Sequence, residues 1–171
     1  DSARLAGAVI NDVGPTLHMP GLQRIASNIA RQTSFPTWVH AARALAEANA
    51  EVHPDWQINE WIGHAKRVMR LSTSGRIVFD HDPRIGQAFG DPAETAEADA
   101  WPFWLALKDV PLLLLRGELS DLLTAEQAEM AVAAPDKAEL VTTPRVGHTP
   151  TLTEPQSLAA IESLIARAET A

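Results

Sequence analysis

Two uninterrupted apolar runs set the frame of this chain. Leu5-Ala6-Gly7-Ala8-Val9-Ile10 closes in the turn-rich cluster Asn11-Asp12-Val13-Gly14-Pro15, and Val110-Pro111-Leu112-Leu113-Leu114-Leu115 closes at Arg116-Gly117. A strand that is apolar at nearly every position is buried on both faces, the condition of a parallel sheet covered by helices. Pro111 has no N–H for a ladder and is compatible only with the start of its strand. Ala138 to Thr142 reads as a third, more polar strand.

The segments between and after these strands carry helix signals. Thr124 and Gln127 have the spacing of a capping box, and the helix that follows is stopped at Pro135. Thr153 and Gln156 repeat the signature, and Leu158, Ile161, Leu164, Ile165 and Ala168 are expected to line the buried face of a terminal helix. Strand, helix, strand, helix is the pattern of βαβ units, so the fold class is α/β.

The stretch from 16 to 100 breaks that rhythm. Leu22, Ile25 and Ile29, then Trp38, Ala42 and Leu45, then Trp61, Ala65 and Val68 recur at helical spacing. We read it as a block of helices inserted between two strands, with the Gly/Pro/Asp-rich piece 80–91 as an irregular return to the sheet.

Composition narrows the function. A net charge of −8 with scattered basic residues gives no cationic track for phosphates, so nucleic acid is not an expected partner. No apolar window is long enough to span a bilayer, and the N-terminal residues do not resemble a signal peptide; no membrane association and a cytoplasmic location are expected. With no cysteine there is no thiolate nucleophile and no cysteine-based metal site. No histidine pair has metal-ligand spacing, and no cofactor or metal is expected.

Of six histidines, His18, His40, His53, His64 and His81 are read as solvated or packed residues. His148, in Arg145-Val146-Gly147-His148-Thr149-Pro150-Thr151-Leu152, differs because it follows the third strand by a few residues. Open α/β folds place their sites at that carboxyl edge. The loop after the second strand, Gly117-Glu118-Leu119-Ser120-Asp121-Leu122-Leu123, reaches the same edge. A general base needs a carboxylate on Nδ1 to fix its tautomer, and Asp121 and His148 have the types and order for that. The bland alternatives are a helix-terminal carboxylate for Asp121 and a plain loop acid for Glu118.

These words, with Asn11-Asp12-Val13-Gly14-Pro15 after a strand, resemble the α/β-hydrolases, specifically the cap-bearing branch of esterases, lactonases and C–C hydrolases. The resemblance covers the second half of that fold. It implies about three parallel strands with flanking helices, divided as 1–15 for a sheet strand and loop, 16–100 for a helical cap, and 101–171 for the remaining core. It further implies Asp121 as triad acid, His148 as base and a small-molecule substrate under the cap. Trp38, Trp56, Trp61 and Trp101-Pro102-Phe103-Trp104 are candidates for an apolar pocket wall, against the plainer reading of core residues.

The family's nucleophile stands in G-x-S-x-G, upstream of acid and histidine. None of the eight serines here lies in that pattern. The expected partner is therefore an N-terminal half that supplies nucleophile and oxyanion hole, or else self-association through an unpaired strand edge. Three explanations are open: a fragment of a hydrolase cleaving an ester, lactone or similar carbonyl, one half of a split pair, or a non-catalytic module binding a small ligand. Within enzymes, an aspartate nucleophile of dehalogenase or epoxide-hydrolase type is the alternative to serine.

Overall fold

A computed structural model describes residues 4–29, 33–82, 84–85 and 100–169. Its main sheet has three parallel strands in the order β1-β5-β6, with β1 at Ala8–Asn11, β5 at Leu112–Gly117 and β6 at Ala138–Thr143. The register runs Ala8 to Leu112 and Leu112 to Ala138, which brings the carboxyl ends of all three strands to one edge. Every residue of β5 is buried, as its unbroken apolar run requires.

Side chains of β5 alternate between two cores. Leu112 and Leu114 pack with Trp104, Leu123, Ala128 and Ala131 on one face, while Leu113 and Leu115 pack with Ala160 and Leu164 on the other. The first face is covered by α4 (Trp101–Leu105) and α5 (Ala125–Ala133), the second by α6 (Pro155–Glu169). Thr124 caps α5 through the reciprocal box with Gln127 that the sequence predicts.

The terminal helix departs from expectation in its start and in part of its face. The capping interaction ahead of α6 joins Thr151 to Glu154, whose Oε1 accepts the Thr151 N–H at 2.9 Å, rather than Thr153 to Gln156. Its buried residues are Ser157, Ala160 and Leu164, whereas Leu158 and Ile165 are about half exposed. Ser157 is tolerated inside because its hydroxyl shares a 2.9 Å hydrogen bond with buried Thr143 Oγ1. Leu164 is buried and Ile161 packs against the same core as expected, so the observed face overlaps the one that hydrophobicity selects.

Between β1 and α4 lies the insertion. Helices α1 (Met19–Ile29), α2 (Trp38–Ala48) and α3 (Ile58–Val68) form as the spacing predicts. The insertion also holds a small antiparallel sheet in the order β2-β4-β3, made of Ser34–Phe35, Ile77–Phe79 and Met69–Leu71. Helical spacing gave no signal for these strands, which are two or three residues long and too short to show a period. The insertion has its own core of Ala41, Ala42, Leu45, Trp61, Ala65, Met69 and Ile77, with Trp38 and Trp56 packed against it. The irregular return expected over 80–91 lies largely outside the described residues, as does 86–99 at the end of the insertion. No described helix is long and apolar enough to cross a membrane.

Candidate active site

Three loops converge at the carboxyl edge of the main sheet. Asp12, the first residue after β1, is fully buried and has a φ of 56°. This left-handed conformation, more accessible to Asp and Asn than to most residues, turns the chain sharply at the strand end. Its backbone N–H still bonds Leu115 O at 2.7 Å, so the turn begins with the ladder intact.

The Asp12 carboxylate then reaches across the end of β5. Oδ1 accepts the Gly117 N–H at 2.9 Å and Oδ2 lies 2.8 Å from His148 Nδ1. His148 Nδ1 is also 3.1 Å from Asp12 O. A carboxylate buried at 0% exposure is thus satisfied by a backbone N–H and an imidazole, the pairing that makes a buried acid tolerable. Gly117 is required here by space, since a Cβ at this position would come within 2.5 Å of the carbonyl oxygens of Val146 and Gly147.

The His148 loop is anchored on both sides. Leu119 N–H donates to Val146 O at 2.8 Å, and Gly147 N–H donates to Val52 O of the insertion at 2.7 Å. Glu118 Oε2 accepts the Arg145 N–H at 2.7 Å, and the Arg145 guanidinium pairs with Asp55. The histidine is therefore fixed relative to the insertion as well as to the sheet.

Asp121 occupies another position. Its carboxylate takes a two-pronged hydrogen bond from Arg24 of α1, at 2.6 and 2.8 Å. Its carbonyl lies 3.1 Å from a His18 ring nitrogen. Arg24 holds the Asp121 carboxyl below the usual carboxylate range, with burial opposing. The pairing of Asp121 with His148 expected from the sequence does not form: the acid on His148 Nδ1 is Asp12, and Asp121 ties the loop after β5 to the insertion. The physical reason is the arginine, which competes for Asp121 with a bidentate, charge-matched geometry that imidazole cannot offer. The missed signal was a carboxylate in the first turn after the first apolar strand, at the same sheet edge as the histidine.

A cavity of about 340 Å³ opens beside His148. Thr149, Pro150 and Thr151 of its loop and Asn49, Val52, His53, Trp61, His64, Arg67 and Val68 of the insertion complete the lining. His53 stacks on Trp56 with centroids 3.7 Å apart, and Trp61 and His64 meet Trp56 edge-on. Burial, with His64 and Arg67 nearby, pushes His53 down to about 4, and burial with Arg67 lowers His64 as well. Of the tryptophans weighed as pocket wall, Trp61 lines this cavity while also serving the insertion core, and Trp104 is buried in the sheet core with Nε1 bonded to Ala131 O. Among the described residues no group of three or more histidine, aspartate or glutamate side chains is arranged to hold a metal ion.

No protein-family model matches the chain. It is 27% identical over 157 residues to a 3-hydroxybutyrate-oligomer hydrolase of Cupriavidus necator, an alignment covering 88% of this chain and 53% of that protein. Among solved structures, an α/β hydrolase from Novosphingobium aromaticivorans is 48% identical with a TM-score of 0.88, covering 98% of this chain and 59% of that one. An esterase from Mycobacterium tuberculosis, 19% identical with a TM-score of 0.59 over 94% of this chain and 53% of its own, shares the fold. The chain spans little more than half the length of each of these proteins. Its strand order, its loops at one sheet edge and these matches agree: the chain has the α/β-hydrolase fold and corresponds to the C-terminal half of it.

Proposed function

We propose that this chain supplies the base and the orienting acid of a hydrolase that cleaves an ester, lactone or similar activated carbonyl in a small substrate. The observation that carries the reading is the 2.8 Å contact between Asp12 Oδ2 and His148 Nδ1. A buried carboxylate on Nδ1 fixes the tautomer, leaves Nε2 as the proton acceptor and stabilises the imidazolium once formed.

In this reading Nε2 takes the proton of a nucleophilic hydroxyl as that oxygen attacks the substrate carbonyl. The imidazolium then protonates the leaving group, and water clears the acyl intermediate with the same histidine as base. The nucleophile and oxyanion donors belong to an N-terminal half of the fold, since no serine here stands in G-x-S-x-G. The insertion acts as a cap, supported by its contribution of His53, Trp61 and His64 to the cavity beside His148. The similarity to a 3-hydroxybutyrate-oligomer hydrolase of Cupriavidus necator is in keeping with an ester-type substrate.

The test uses this chain joined to a nucleophile-bearing N-terminal half, with p-nitrophenyl butyrate as substrate. His148→Ala is expected to reduce turnover to near background. Asp12→Asn is expected to lower kcat about a thousandfold or more, because the amide presents a donor to Nδ1 and selects the wrong tautomer. An Asp12→Asn enzyme with unimpaired turnover overturns the reading.

A further inference from the structure

The cavity beside His148 is charged against the trend of the chain. In a protein of net charge −8, its lining holds one arginine and three histidines and no aspartate or glutamate. Arg67 stands three residues beyond His64 on α3, so the two side chains share a helix face. No described carboxylate lies within ion-pair distance of Arg67. Glu154, close enough to act on His53, has its Oε1 engaged by the N–H and hydroxyl of Thr151.

Two polar atoms of the lining residues are also left over. His53 Nδ1 and Thr149 Oγ1 are buried with no hydrogen-bond partner, and His53 is only 6% exposed. His53 is held neutral near pH 7 by burial, so it adds no fixed charge to the lining. The fixed cation of the lining at that pH is Arg67.

We propose that this cavity selects esters bearing a free carboxylate remote from the scissile carbonyl, with Arg67 binding the carboxylate. The inference rests on the hydrolase reading above and deepens it. A volume of about 340 Å³ suits a short-chain substrate that touches Arg67 and His148 together. Because the guanidinium is solvent-accessible, its contribution falls on substrate capture and selectivity more than on the chemical step.

The experiment compares two esters of equal acyl length, mono-p-nitrophenyl glutarate and p-nitrophenyl pentanoate, on the chain completed by its N-terminal half. Arg67→Gln is expected to lower kcat/KM for the glutarate ester about tenfold or more, mainly through KM, and to change the pentanoate ester less than about threefold. Arg67→Lys retains part of the preference, and raising the ionic strength erodes it in the unaltered enzyme. Equal effects of Arg67→Gln on both esters, or no effect on either, overturn the proposal. Arg67-dependent selectivity in an enzyme indifferent to His148→Ala supports the carboxylate site and overturns the base assignment.

Discussion

Asp12 and His148, 136 residues apart in the chain, meet at 2.8 Å over the glycine that ends the central strand. The contact joins β1 to the loop after β6 across β5, so it forms only when all three strands are in register.

The Asp12 position separates its structural and chemical roles. Asp12→Asn keeps a residue suited to the left-handed turn and an oxygen for the Gly117 N–H, so the unfolding midpoint should move little while His148-dependent turnover falls. Asp12→Ala also leaves the Gly117 N–H without its side-chain acceptor, and a further loss of about 1–3 kcal/mol in urea unfolding is expected.

Asp121→Asn tests the ion pair with Arg24. Turnover by the completed enzyme should stay within about tenfold of the parent, since the acid on His148 is elsewhere. The side chains are 26% and 38% exposed, so the stability loss at pH 7 should be about 1 kcal/mol or less. Arg24 lowers the folded carboxyl below its ordinary value of 3.8, so this contribution is complete above that pH and is lost as the pH falls below it. Urea midpoints of parent and variant should converge in that acidic range.

His53 predicts a different pH dependence. Its folded value of about 4 lies below the ordinary 6.5, so the unfolded chain takes up a proton first as the pH falls. Stability is therefore full above 6.5 and declines from there toward 4, by about 2 kcal/mol between pH 7 and pH 5. In His53→Phe that component should vanish, flattening the urea stability profile over this interval.

Gly117→Ala would force a methyl group into carbonyl oxygens of the His148 loop. A cost of about 1–3 kcal/mol is expected, with a fall in kcat exceeding any change in KM as the histidine is displaced from Asp12. Urea unfolding and steady-state kinetics on the same variant measure both.

The strands and helices were legible because each has a local cause. Leu112 to Leu115 are apolar without interruption, Thr124 and Gln127 stand three apart, and Trp61 and Ala65 repeat at helical spacing. The full face of α6 was not, because Ser157 is buried by a hydroxyl partner on β6 that lies 14 residues away. The short strands at Ser34, Met69 and Ile77 were hidden for a related reason: their pairing is long-range and each is too brief to show alternation.

The site divides along the same line. By itself the sequence determined that His148 lies just beyond a strand, that Asp121 follows the strand before it, and that parallel pairing brings those two loops to one edge. Which carboxylate reaches the imidazole was decided only in three dimensions. Arg24, on a helix of the insertion, binds Asp121 with two hydrogen bonds, while the left-handed turn at Asp12 and the bare backbone of Gly117 let the other carboxylate cross β5 to His148. Residue type and local spacing are written along the chain; competition between distant partners for one carboxylate is settled by packing.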